Sequence, residues 1–188
     1  MTDVLRLLQR GIADFGRAVH TVGADQWSAP TPCTEWDVRA LVNHLAVEHL
    51  WVPPLLAGKT VAEVGDAFDG DRLGDDPVAA WDAAAAGSTA GFAEPGALDR
   101  TVHLSYGDRP ARDYCREMVL DLVVHSWDLA RAIGADEHVD PDLVELAYGH
   151  IAPIVHLWQD AGIFAPPVPV PDDADLQTRL LALTGRRP

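Results

Sequence analysis

The chain has 188 residues, enough for one domain with a full apolar core and no need of disulfide staples. A net charge of −15, with Lys59 the only lysine, excludes the basic stripe that nucleic-acid phosphates require and disfavours anionic membranes. No apolar run approaches the ~20 residues of a membrane span, the start lacks a signal-peptide core, and two distant cysteines form no disulfide framework. A reducing cytoplasm is therefore the expected compartment.

The first predicted element is an amphipathic helix. Val4, Leu5, Leu8, Ile12, Phe15, Val19 and Val22 recur at three-to-four spacing, with Thr2 or Asp3 as cap and an end near Gly23. A Pro-rich loop, SAPTPC, follows. The second helix is expected to open at Thr34, with Asp37 as a weak acidic version of the capping box. Its apolar face is Val38, Leu41, Val42, Leu45 and Val52, and Pro53-Pro54 should end or bend it. Residues 65–76 are Asp/Gly-rich and read as an exposed loop, and Pro77 to Phe92 predicts an Ala-rich third helix around Trp81.

From Arg100 to Tyr106 the sequence alternates, and Gly107-Asp108 supplies a turn, so a short hairpin is expected with Pro110 on an edge arm. Asp113 to Ile133 is the longest and most apolar helix, closed by Gly134. A fifth helix starts at Asp140-Pro141 and meets a kink at Pro153. After the extended connector APPVPVPDD, a short helix from Asp175 to Thr184 ends at Gly185. The sum is an all-α fold, a four-helix bundle with a small hairpin and C-terminal helical additions. A single domain spans 1–188, its bundle core over about 2–160 and the connector and short helix over about 161–188.

The segment LDLVVHSWDLARA carries the most chemical information. Met118, Leu122, His125, Leu129 and Ala132 share one stripe, and Asp121 sits one turn before His125 on the face that should meet the core. An isolated buried carboxylate is costly, so Asp121 should be paired, protonated or bound to a cation. A carboxylate and an imidazole at i,i+4 can approach one metal ion from one helix. A plain Asp–His hydrogen bond in the core is the alternative reading. In VNHLAVEHLW, His44 lies beside the apolar stripe, with Glu48 four and His49 five residues further on. One of these can supply a third ligand across the bundle.

The blocks TPCTEWDVRALVNHLA, SYGDRPA, VVHSWDLARAIG and PVPVPDDADLQTRLLALTGR, in this order over nearly the whole chain, resemble the DinB-like metal-binding superfamily. The nearer resemblance is to the branch related to mycothiol-dependent maleylpyruvate isomerases. It implies a four-helix bundle with a divalent metal, zinc or nickel, held by His44, Asp121 and His125. The isomerase has Glu where this chain has Asp121. Asp is shorter by one methylene, which retracts the carboxylate by ~1.5 Å, so direct and water-bridged ligation both stay open at this position.

Asp128 and Arg131 extend the HSWDLAR block, either as a helix salt-bridge lattice or, for Asp128, as a partner fixing the His125 ring. Glu48 and His49 are candidates to line a pocket. Cys33 precedes the second helix with no neighbouring base and is assigned to structure, and Cys115 has no catalytic context. The resemblance implies an enzyme, a metal-dependent thiol S-transferase or cis–trans isomerase in which a mycothiol-type thiol attacks a small electrophile. A non-catalytic metal- or small-molecule-binding protein of the same fold is the alternative. Positive groups beside the metal would point to a carboxylate substrate, with Arg39, Arg109, Arg112 and Arg131 as candidates. The expected partners are a small thiol and an electrophile, not nucleic acid or membrane, and the expected assembly is a monomer or homodimer.

Overall fold

Helices dominate the computed structural model, which describes residues 3–188. Thr2, one of the two expected caps of the first helix, lies outside the described residues. The elements are α1 (Asp3–Thr21), α2 (Val38–Leu56), α3 (Val61–Val64), α4 (Pro77–Ala93), β1 (Thr101–Leu104), β2 (Gly107–Pro110), α5 (Ala111–Ile133), α6 (Pro141–Ile151), α7 (Val155–Asp160) and α8 (Leu176–Leu183). The bundle is made of α1, α2, α4 and α5, with α6 against α5 and α8 against α6. This is the all-α bundle with a small hairpin that the apolar periodicity predicts.

The central element is α5, whose buried residues run around the helix: Tyr114, Met118, Val119, Leu122, Val123 and Trp127 among them. A helix apolar on all sides is one that the fold surrounds, and two of its polar residues, His125 and Asp128, are buried with it. Phe15 of α1 meets Trp81 of α4 edge-on, ring centroids 4.7 Å apart, closing the far side of the core.

Four local expectations are corrected. First, α2 begins at Val38, capped by Asp37, whose carboxylate accepts from the Ala40 amide at 2.8 Å. Thr34 lies in a tight loop that Thr31 fastens by donating its hydroxyl proton to the Trp36 carbonyl, so the helix cannot start there. Second, α2 runs to Leu56, so Pro53-Pro54 lie within its last turn instead of stopping it, at the cost of the two backbone bonds their missing N–H groups would make. Third, the hairpin pairs Leu104 with Gly107, so the turn is Ser105-Tyr106 rather than Gly107-Asp108. A cross-strand contact of His103 Nδ1 with Asp108 Oδ1 at 2.7 Å fixes that register. The shift puts Tyr106 at the hairpin tip. Fourth, at Pro153 the expected kink is a break between α6 and α7.

His49 of α2 is fully buried beside Trp81, and neither ring nitrogen has a partner among the described residues. Burial pushes its pKa down to about 4, against a weak opposing pull from Asp121, so the folded state holds it neutral. Its contribution is fully present above the ordinary imidazole value near 6.5 and is lost as the pH falls toward 4, because the unfolded chain takes up the proton first. Between pH 7 and pH 5 this removes on the order of 2 kcal/mol. Chemical unfolding of the wild type and His49→Leu at both pH values checks this: the variant should lose less stability by about that amount.

Candidate metal centre

Helices α2 and α5 bring His44, Asp121 and His125 together, with ligand-capable atoms of all three within 4.8 Å of one another. His44 Nε2 lies 3.2 Å from Asp121 Oδ2, and His125 Nε2 lies 3.4 Å from Asp121 Oδ1. Both Asp121 and His44 remain about one quarter exposed, at 28% and 27%, so the cluster opens onto solvent on one side. Trp36 covers another side, its ring centroid 4.6 Å from His44 and 5.5 Å from His125.

Burial opposes ionisation of Asp121, but the two imidazoles outweigh it and hold the carboxyl well below the usual range. Burial likewise opposes charge on His125, yet Asp121 and Asp128 raise it to about 9. The cluster is thus built around an ionised carboxylate that demands positive charge.

The far nitrogen of His125 is equally well determined. Its Nδ1 lies 2.9 Å from Asp128 Oδ2, and Asp128 is completely buried. Arg186 completes the set: its Nη2 donates to Asp128 Oδ2 at 2.9 Å and its Nε to Oδ1 at 3.4 Å. Desolvation alone would raise the Asp128 pKa, but His125 and Arg186 reverse the sign and hold it low. Arg186 reaches this point because Gly185, at φ 84°, turns the chain sharply after α8, and the Arg186 amide donates back to Leu181 O at 2.9 Å. A Cβ at Gly185 would come within 2.6 Å of the Ala165 Cβ, so the turn that delivers Arg186 requires glycine twice over.

The donor set fits a divalent ion. Two imidazoles and a carboxylate from two helices match what zinc accepts, and the buried Asp121 Oδ2, although 3.2 Å from His44 Nε2, lacks hydrogen-bond geometry to it or to any other described residue. His125 also gives its second nitrogen to a carboxylate, as metal-ligating histidines commonly do. Cys33, His125 and Asp128 form a second group within 4.8 Å. There both Asp128 oxygens are already engaged by Arg186 and His125, which leaves that set committed to an ion pair.

The cluster opens into a cavity of about 700 Å³, within the roughly 300–1,000 Å³ of small-molecule sites. Glu48 lines it, whereas Arg131 does not: its guanidinium lies over Trp127, 4.1 Å from the ring centroid, and pairs with Glu137 at 2.7 Å. Cys33, assigned to structure from the sequence, also lines the cavity, with Arg186 Nη2 3.6 Å from its sulfur. Burial raises its pKa despite that arginine, so the thiol form is favoured. Of the other candidate arginines, Arg39 pairs with Asp71 and Arg112 with Asp99, and neither lines the cavity. Sequence reasoning did not single out Arg186 or Trp36, and the signal available was their position inside the TPCTEW and LTGR blocks.

Fold and site together define a DinB-like helical bundle with a His–Asp–His cluster. A family model described as the mycothiol maleylpyruvate isomerase N-terminal domain matches residues 8–130, and the chain belongs to that family. It is also similar to two uncharacterized proteins of Mycobacterium tuberculosis, one from each of two strains, at 32% identity over 186 residues and 98% of both chains. No solved structure matches it. Among the described residues no helix is long and apolar enough to cross a membrane.

Proposed function

We propose that the protein is a metal-dependent thiol S-transferase, with mycothiol or a similar small thiol as cosubstrate, acting as one domain in the cytoplasm. The observation that carries this reading is the open His44–Asp121–His125 cluster at the wall of a cavity large enough for a small molecule. His44 and His125 would offer Nε2 to a divalent ion, zinc or nickel, and Asp121 a carboxylate oxygen. Three protein ligands leave a position free, which is the arrangement of catalytic rather than structural sites. When bound, the ion supplies Lewis acidity, which lowers the pKa of a coordinated thiol toward neutrality.

The chain's own residues do the rest. Asp128, held by Arg186, fixes the His125 ring and its tautomer. Trp36 shields the two imidazoles from water on one side. Transfer is favoured over isomerisation of a dicarboxylate because Arg186 is the only arginine lining the cavity among the described residues, and its charge is matched by Asp128.

The test is spectroscopic. With cobalt as the divalent ion, mycothiol should produce a sulfur-to-cobalt charge-transfer absorption, and His125→Ala should abolish both this band and thiol transfer to an electrophile. Cys33→Ser should keep both. No spectral change on thiol addition overturns the reading, and loss of the band in Cys33→Ser alone would make the protein's own thiol the ligand.

A further inference from the structure

The cavity has a second arm, one helical turn away from the His–Asp–His cluster. Glu48 follows His44 by one turn of α2, and Glu117 precedes Asp121 by one turn of α5, so this arm lies roughly 6 Å further along both helices. Glu48 and Glu117 both line the cavity, and neither belongs to a group of metal-range donors. Tyr106, brought over the cavity by the Ser105-Tyr106 turn, donates its hydroxyl proton to Glu117. Burial, with Asp121 nearby, pushes the Glu48 carboxyl up to about 7, so a cation beside it would favour its ionised form.

Tyr114 supplies an independent observation. Its side chain is only 4% exposed, it lines the same cavity, and its hydroxyl has no partner among the described residues. Tyr114 precedes Glu117 by three residues on α5, so the two share a helix face, and both line the cavity with Glu48. A buried, unpaired hydroxyl is costly, and a ligand group that satisfies it gains what the free protein lacks. The walls beyond are aromatic: Trp51, Trp158 and Phe164 line the cavity, the last two stacked 5.8 Å apart.

Charge decides what can enter. Glu35, Glu48, Glu117 and Asp121 face the cavity, against His44, His125 and Arg186, and Arg186 is neutralised by Asp128. Arg109 sits against the Tyr106 ring, 5.6 Å from its centroid, and does not line the cavity. A carboxylate ligand would add a like charge to this acidic excess, whereas an ammonium would meet carboxylates, ring faces and a free hydroxyl oxygen.

We propose that this arm binds a primary ammonium group carried on a flat apolar frame, with Glu48 and Glu117 meeting the charge and Tyr114 accepting one ammonium proton. As the subsite for the electrophile, this assignment rests on the thiol-transfer reading, while the binding itself does not. The family's namesake substrate is anionic, so the arm assigns this chain a different substrate class.

Calorimetric titration of the metal-free protein, without thiol, tests the binding with phenethylammonium, benzyltrimethylammonium and 3-phenylpropanoate. Phenethylammonium should bind at least about tenfold more tightly than 3-phenylpropanoate, since hydrogen bonds to charged groups contribute about that factor or more. Glu48→Gln and, separately, Glu117→Gln should each erase most of this preference. Asp172→Asn, which removes an exposed charge elsewhere, should leave it unchanged and so exclude a general effect of the acidic surface. Tyr114→Phe should weaken phenethylammonium severalfold and leave benzyltrimethylammonium, which has no N–H, unaffected. Tighter or equal binding of the carboxylate overturns the site, as does a preference that survives both Gln variants. An equal loss for both cations in Tyr114→Phe overturns the role of the hydroxyl. Because neither metal nor thiol is present, these outcomes are independent of the cobalt experiment.

Discussion

Asp128→Ala is expected to lower the stability of the fold by about 3–5 kcal/mol, the usual cost of breaking a buried ion pair from one side. The carboxylate is completely buried and is shared by two cationic or proton-donating partners, Arg186 Nη2 and His125 Nδ1, both at 2.9 Å. Its removal leaves the guanidinium, whose side chain is only 9% exposed, without a counter-charge. The damage extends beyond α5, because the ion pair is what ties the C-terminal tail after α8 back onto the bundle. Asp128→Asn keeps the volume and one acceptor and should lose less. Arg186→Met should sit between the two, since Asp128 then keeps His125 but loses its bidentate partner. Urea unfolding of the three variants followed by circular dichroism gives the order directly. Equal stabilities for Asp128→Ala and the wild type would mean that the tail is held by apolar packing alone.

The sequence carried the helices and concealed the tail contact, for separate physical reasons. α1 and α5 were legible because burying a stripe imposes a period that the chain itself displays, as in Val4, Leu8, Phe15 and Val19. Helix starts were legible where a cap lies next to a proline, as at Asp140-Pro141, and less so at Thr34, where a loop closed by the Thr31 hydroxyl on the Trp36 carbonyl takes precedence. The hairpin was visible as alternation, but its register is set by a His103–Asp108 contact that alternation does not encode. In the site, Asp121 and His125 share one helix face by spacing alone, and His44 joins them only through packing of α2 on α5. Arg186 is 58 residues from Asp128 in sequence, and nothing local marks it as a partner. Arg131, three residues beyond Asp128, is the arginine that spacing favours, and it is drawn away by Trp127 and Glu137.

His44→Ala or His125→Ala should remove tight metal binding while leaving the helical fold in place. Each variant keeps two donors of the three that lie within 4.8 Å, so the loss of affinity should exceed the roughly 10–100-fold typical of losing an outer partner such as Asp128. Asp121→Asn should fall between, because its shorter side chain admits water-bridged as well as direct contact. Stability reports the same event. An ion bound only by the folded state adds about 2.7 kcal/mol when its free concentration is a hundredfold above Kd. The metal-loaded wild type should therefore melt higher than the chelated protein, and both should keep the helical circular dichroism, since the apolar core around Leu45, Leu122 and Leu129 forms without metal. In His125→Ala, added metal should no longer raise the melting temperature. Elemental analysis after desalting is the decisive measurement: metal retained at the wild-type level in the double variant His44→Ala/His125→Ala would remove this cluster as the binding site, whatever the melting curves show.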